Sequence, residues 1–272
     1  MVHEHHEHIF RAGSRTYYYS SRFFPKPVRD DVTILYGFVR VADNFVDTIP
    51  QQPEGFKRFC GMYRKASSTG KPSEDRIIDS FIELEKRRSF NPAWTEAFLT
   101  SMEMDLTKQV YESLDETLKY IYGSAEVIGL FMARIMELPE AADFAASRLG
   151  RAMQYINFIR DIDEDLSLGR QYLPSADAGL PDLRRESAEA EREAFIAYIR
   201  TEIDRYEVWQ QEAAQGYQFI PRRYLIPIQT AAEMYGWTAG TIRRDPFIVY
   251  QRKVKPTKAR IIMTGLRHLI GG

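Results

Sequence analysis

Apolar and polar positions along this chain recur at helical spacing almost throughout, and two segments carry the pattern furthest. Residues 29–47, RDDVTILYGFVRVADNFVD, are apolar in nearly every direction around a helix. Val32, Ile34, Leu35, Phe38, Val39, Val41, Phe45 and Val46 leave one narrow polar stripe, Tyr36, Arg40, Asp43 and Asp47, at i, i+4, i+7 and i+11. Such a helix is buried, so its stripe faces the interior or a cavity. Two carboxylates one turn apart in that setting repel each other and lose hydration, and a positive group must offset the cost. Arg40 is one candidate, as an ion pair with Asp43 or Asp47. A hard divalent cation is the other: aspartate oxygens suit Mg²⁺, which binds through one or two carboxylates plus substrate phosphates.

Residues 151–174, RAMQYINFIRDIDEDLSLGRQYLP, show the same division. Gln154, Asn157, Asp161 and Asp165 form a polar stripe at i, i+3, i+7 and i+11, and Leu149, Ile156, Ile159, Ile162 and Leu166 fall opposite. The stripe holds two carboxylates and two amides but no Lys, whereas a solvated face mixes both signs. Gly169 ends this helix, and Arg170 and Tyr172-Leu173-Pro174 lead into a loop. If the two helices face each other they form two acidic walls, and the simplest ligand needing both is a diphosphate bridged through Mg²⁺.

The remaining pattern is helical too. Pro25 and Pro27 break the chain before the first acidic helix, and residues 50–55 form a loop. Helices over 56–66 and 74–88 flank a turn at 67–73, and the basic cluster Lys86–Arg88 reads as a solvated helix end. Asn91-Pro92 opens a helix carrying Trp94, Phe98, Met102 and Asp105, and Ser113 with Glu116 reads as a capping box. In the helix that follows, Ala125, Gly129 and Ala133 align at i, i+4 and i+8 and admit a neighbouring helix or a slender apolar ligand. Tyr122 and Glu126 flank that stripe within reach of a cavity. A loop covers 175–183 and a long charged helix 184–214, with Phe195, Ile199, Ile203, Tyr206 and Trp209 on its buried face. Pro221 and Pro227 bracket a break before a helix over 228–243, and 245–251 is the one strand candidate. The tail, RKVKPTKARIIMTGLRHLIGG, mixes Lys and Arg with Ile, Met and Leu. It reads either as an interfacial helix touching anionic lipid or as a packed last helix with a basic outer face. The expected fold is all-α, a single-domain bundle of roughly ten or more helices.

Composition narrows the function classes. The 272 residues, 44% hydrophobic and 28% charged, suffice for one large core. A net charge of −1 argues against a bulk nucleic-acid binder. Cys60 is the only cysteine, which excludes an intramolecular disulfide and suits a reducing cytoplasm. No apolar run is long enough to span a bilayer and no signal-peptide pattern is present, so a cytoplasmic protein is expected, at most peripheral to a membrane. Residues 1–12, with HEHHEH, read as a flexible His-rich N-terminus, and 13–272 as the domain. In SRTYYYSSRFFP (14–25), Ser14 and Thr16 supply hydroxyls, and Arg15 and Arg22 supply charge suited to phosphate.

SRTYYYSSRFFP, LYGFVRVADNFVD, YIYGSAEVIGL and QYINFIRDIDEDLSLGRQYLP together resemble the squalene/phytoene synthases, the head-to-head branch of the isoprenoid synthases. The likeness runs from Ser14 to about Arg252, and N-x-x-R-D-x-x-E-D followed by G-R-x-Y-L-P is its most specific part. It implies an isoprenoid-synthase helical bundle around a central cavity with an acidic mouth. It places Asp43, Asp47, Asp161 and Asp165, with Asn157, on Mg²⁺, Mn²⁺ being an acceptable substitute. Ser14, Thr16, Tyr36, Arg40, Gln154, Asn157, Arg160, Arg170 and Tyr172 fall on positions that hold diphosphate or the metal shell. Tyr122, Ala125 and Gly129 fall on the prenyl pocket, and the four aspartates, Arg40 and Tyr122 are the implied catalytic set. Thr16 stands where Ser is common and keeps the hydroxyl, whereas Glu126 stands where many members have Gly and brings a carboxylate near the cavity.

The resemblance implies the condensation of two prenyl diphosphates through a cyclopropylcarbinyl diphosphate. Two geranylgeranyl diphosphates to phytoene is the first expectation. Two farnesyl diphosphates to squalene, dehydrosqualene or presqualene diphosphate is the alternative, with NADPH required only for squalene. A terpene cyclase suits two matched D-x-x-x-D motifs less well, and helical assembly factors of this fold usually lose the aspartates that this chain retains. A monomer without nucleic-acid partners is expected.

Overall fold

The computed structural model describes residues 24–176 and 179–270, so the His-rich segment 1–12 lies outside the described residues. Twelve α-helices occur among them. Helix α1 (Lys26–Asp47) has Pro27 in its first turn, where a missing N–H leaves no bond unmade, and α2 (Pro53–Thr69) and α4 (Pro92–Thr107) also start on proline. The side chain of Asp75 caps α3 (Arg76–Arg87), accepting from the N–H groups of Ile77 and Ile78 at 2.8 and 3.2 Å. Ser113 caps α5 (Leu114–Ile121) by accepting from Glu116 N–H at 3.3 Å, while the Glu116 carboxylate accepts from Glu112 N–H at 2.8 Å. A π-helical turn, Tyr122–Glu126, then joins α5 to α6 (Val127–Ile135).

The centre of the bundle is α7 (Asp143–Arg160), which packs along α10 (Arg192–Ala214) and touches the π turn, α6 and α11 (Arg222–Arg244). Tyr155, Ile156 and Ile159 of α7 are fully buried, as are Ile199 and Ile203 of α10. The Tyr155 ring meets Trp209 edge-on at 5.0 Å, and its hydroxyl donates to buried Glu202. On the other side α1 packs on α2, α3 and α4, with Phe38 stacked on Phe81 at 3.9 Å.

Several expected elements take a different form. The helix expected to run through to Gly169 is interrupted at Asp161 (φ −102, ψ 17), and α8 (Ile162–Ser167) follows. The Arg160 and Asp161 side chains pair with each other, a neighbour contact that a regular helix holds apart. Gly169 (φ +77) still ends the element, in the left-handed conformation glycine tolerates. The charged helix splits at Glu191 (φ −111, ψ 51) into α9 (Arg185–Ala190) and α10. Pro227 sits inside α11, where burial of its ring offsets one lost hydrogen bond. The strand expected over 245–251 is a 3₁₀ helix, Pro246–Tyr250, because its apolar run is buried on all sides, with Phe247 and Tyr250 against Phe195. At the end of α3 Lys86 and Arg87 stay exposed, as a solvated helix end requires, and only Arg88 turns inward; Arg87 and Arg88 both donate to Asp31, which is 2% exposed. The last helix is α12 (Lys258–Ile270). Among the described residues the one β contact is a parallel bridge between Val110 and Gln171, which anchors the chain between Arg170 and Tyr172.

Candidate active site

The C-terminal half of α1 and the α7–α8 junction carry the two polar stripes to one end of an apolar cavity. That cavity has a volume of about 370 Å³, within the range of small-molecule sites. Its walls are Val32, Leu35, Ile128, Met132, Leu149 and Met153 among others, and Tyr36, Gln154 and Asn157 supply its polar end. Farther along the same stripes stand Arg40 and Asp161, one turn beyond Tyr36 and Asn157, and Asp43, two turns beyond Tyr36.

The carboxylates occupy two pairs. Arg40 donates to Asp43 at 2.5 Å, and Arg170 donates to Asp47 at 2.8 Å and to the carbonyl of Val46 at 2.7 Å. Asp161 accepts from Arg160 Nε at 2.8 Å and lies 3.3 Å from Lys253 Nζ, which also pairs with Glu164. Arg170 links the two motifs: it contacts Asp47, and its backbone N–H donates to the Asp165 carbonyl at 2.8 Å. Despite these cations, Asp43 is pushed up to about 7, first by burial and then by Asp47. Asp165 is pushed up to about 8, first by burial and then by Asp161 and Glu164.

Beneath this mouth lies a buried polar network. The hydroxyls of Tyr120 and Tyr172 donate to Asp105 at 2.6 and 2.7 Å. Tyr172 is stacked on Phe158 at 4.2 Å and on Tyr111 at 5.4 Å. Burial raises Asp105 to about 6, against the pull of Tyr120 and Arg170, and raises Tyr120 well above the ordinary phenol range. A second cavity, about 110 Å³, opens between Asp47, Asp105, Lys108 and Arg170.

Among the described residues no three His, Cys, Asp or Glu side chains gather closely enough to hold a metal by themselves. The four aspartates therefore do not form one cluster. The donor set nevertheless fits Mg²⁺, which needs only one or two carboxylates beside phosphate oxygens and water. Asp43 and Asp165 are held at raised pKa by burial and by the carboxylates of their own motifs, and the buried Oδ1 of Asn157 has no hydrogen-bond partner among the described residues.

The profile of the squalene/phytoene synthase family matches residues 10–260 of this chain. The chain belongs to that family. The 15-cis-phytoene synthase of Paracoccus sp. (strain N81106 / MBIC 01143) is 26% identical over 257 residues, which cover 91% of this chain and 84% of that protein. The 15-cis-phytoene synthase of Enterobacter agglomerans is 30% identical over 239 residues, covering 82% and 80%. In three dimensions the chain matches the squalene synthase HpnC of Alicyclobacillus acidocaldarius with a TM-score of 0.81 at 19% identity, over 90% of this chain and 94% of that one. It is therefore a prenyltransferase of the phytoene/squalene synthase type, and its reaction is the head-to-head condensation of prenyl diphosphates.

In this squalene/phytoene synthase the expected residues are distributed as follows. Tyr36, Ala125, Gly129, Gln154 and Asn157 line the main cavity. Arg40, Asp43, Asp47, Arg160, Asp161, Asp165 and Arg170 surround the mouth, and Tyr172 lies beneath it. Ser14 and Thr16 lie outside the described residues. Tyr122 does not line the cavity: 42% of it is exposed. Glu126 is 2% exposed but does not line the cavity either; it accepts from Ser147 Oγ at 2.5 Å and from Arg151 Nε at 2.6 Å. Gly129 serves both roles open to it, lining the cavity and bringing α6 against α7, where a Cβ would lie 2.2 Å from the Ala146 carbonyl oxygen. Sequence reasoning missed Tyr120, Lys253 and the cavity-wall Ser124. Asp105 shares its helix with Phe98 and Met102, and that apolar company is the signal in the sequence that its carboxyl is buried.

Proposed function

We propose that the protein joins two geranylgeranyl diphosphates head to head to give phytoene. The observation that carries this reading is the pairing of two carboxylate motifs on either side of Arg170, at the polar end of an apolar cavity. The relatives named phytoene synthases support the C20 substrate and the carotenoid product. Asp43, Asp47, Asp161 and Asp165, with Asn157, would hold Mg²⁺. When bound, the metal neutralises diphosphate charge and assists departure of the leaving group.

The chain's own side chains account for the rest. Arg40, Arg160, Arg170 and Lys253 each pair with an acidic residue at the mouth and can exchange it for diphosphate oxygens. Tyr36, Gln154 and Asn157 orient the head groups where polar mouth meets apolar wall. The hydrocarbon walls exclude the water that would capture an allylic cation as an alcohol. Tyr120, Tyr172 and Asp105 hold Arg170 in place from below. The new carbon–carbon bond forms as one diphosphate leaves and a proton is lost, closing a cyclopropane. Loss of the second diphosphate, rearrangement and a second proton loss give phytoene, so no reductant is consumed.

The test is incubation with radiolabelled C15 and C20 diphosphates and Mg²⁺, with and without NADPH, followed by analysis of the extracted lipid. Labelled phytoene from the C20 substrate alone, independent of NADPH, is expected. Presqualene diphosphate, dehydrosqualene or NADPH-dependent squalene from the C15 substrate would replace this reading with the farnesyl alternative.

A further inference from the structure

Helix α12 lies on α11 by one face and leaves the other without a partner. Its inner face is fixed by buried Thr264, by Arg260 over the Trp237 ring at 4.8 Å, and by Arg267 and His268 on Glu233. Its outer face carries Ile262, Met263, Leu266 and Leu269, exposed by 62, 71, 51 and 58%. These four fall within one stripe of the helix. From Pro246 to Gly272 the sequence contains no Asp or Glu but carries Arg252, Lys253, Lys255, Lys258, Arg260 and Arg267, in a chain whose net charge is −1. Lys253 and Arg267 are occupied by acidic partners, whereas Arg252, Lys255, Lys258 and Arg260 have no ion pair among the described residues.

We propose that the outer face of α12 docks on the surface of an anionic lipid bilayer, its apolar stripe among the acyl chains and its flanking cations at the headgroups. Two observations select this occupant. The cations beside the stripe complement a negative surface, and an apolar stripe with a basic flank is the pattern of a helix lying in the interface. The stripe is also too small for a stable second copy: thirteen residues span about 20 Å, and a strip about 10 Å wide offers roughly 200 Å², against about 800 Å² per partner in a standard interface. No helix among the described residues is long and apolar enough to cross a membrane, so the contact lies on the surface. The geometry also relates this contact to the active site. Lys253 of the basic segment lies beside Asp161, and the helix under α12 lines the cavity through Pro227, Ile228 and Ala231.

The test is co-sedimentation of the full chain with vesicles of phosphatidylcholine, alone or with about one-third phosphatidylglycerol. Wild type should sediment with the anionic vesicles and remain in the supernatant with the neutral ones, with binding that weakens as salt rises. K255Q/K258Q should bind the anionic vesicles more weakly by about five-fold per charge removed. M263E/L266E should lose binding by ten-fold or more while keeping wild-type turnover of a detergent-dispersed substrate. Failure of wild type to bind anionic vesicles would overturn the proposal, as would undiminished binding by M263E/L266E. A wild-type dimer that M263E/L266E converts to monomer would also overturn it, assigning the face to a second copy.

Discussion

Replacing Asp165 with Asn should make the metal-free protein more stable while destroying its activity. The Asp165 carboxyl is pushed up to about 8 from an ordinary 3.8, chiefly by burial and then by Asp161 and Glu164. The folded chain therefore holds this proton more tightly than the unfolded chain does. The resulting stability is fully present below about pH 4 and is lost as pH rises toward about 8. A difference of about four units at 1.36 kcal/mol each amounts to about 5 kcal/mol, and water reaching the partly buried group reduces it to about 3 kcal/mol. Asn keeps the shape of the side chain and does not ionise. Asp165→Asn should thus raise Tm at about pH 8 by roughly 6–12 °C and remove much of the fall in Tm between about pH 5 and pH 8. Thermal melts of both proteins in EDTA across that range test this. A mutant that melts at or below wild type at about pH 8, or with the same slope, would refute the reasoning about burial and charge crowding.

Further outcomes are expected. Asp43→Asn should lower kcat/KM on the order of 10³-fold while leaving the circular dichroism spectrum unchanged, because it removes a charge that would hold metal. Arg170→Lys cannot reproduce the contacts to both Asp47 and the Val46 carbonyl, so a raised KM and a loss of about 2–3 kcal/mol in urea melts are expected. Gly129→Ala places a methyl group against the Ala146 carbonyl and should cost about 1–3 kcal/mol by thermal melt. Glu126→Ala leaves Arg151 without its carboxylate and should cost about 3–5 kcal/mol, with Glu126→Ala/Arg151→Ala costing less than the sum of the two single changes.

The two motif stripes were legible because each interrupts a strongly apolar helix, and burial enforces that contrast in composition. The fold class followed from the same periodicity. The prediction of a continuous helix through Asp161 failed because period counting does not register a pairing between neighbouring side chains such as Arg160 and Asp161. Tyr122 was misplaced for a related reason. A helical wheel assumes 3.6 residues per turn, whereas the chain runs in π geometry from Tyr122 to Glu126, and that turn rotates Tyr122 roughly a quarter-turn off the Gly129 wall. Tyr120 and Lys253 were hidden because their partners are remote: Asp105 is 15 positions from Tyr120, and Asp161 is 92 positions from Lys253. Residues 245–251 show a general ambiguity, since a short apolar run buried on all sides has no period to betray its conformation.

Two of the salt links at the mouth, Arg40 with Asp43 and Arg170 with Asp47, each join two halves that prefer different guests. The guanidinium favours a phosphate oxygen and the carboxylate favours a hard cation. Separating them is costly if only one half is rewarded and much less so if both are. Substrate and magnesium ought then to promote each other's entry, each tightening the other by the same factor. Ordinary internal salt links thereby become a device that resists either guest arriving alone.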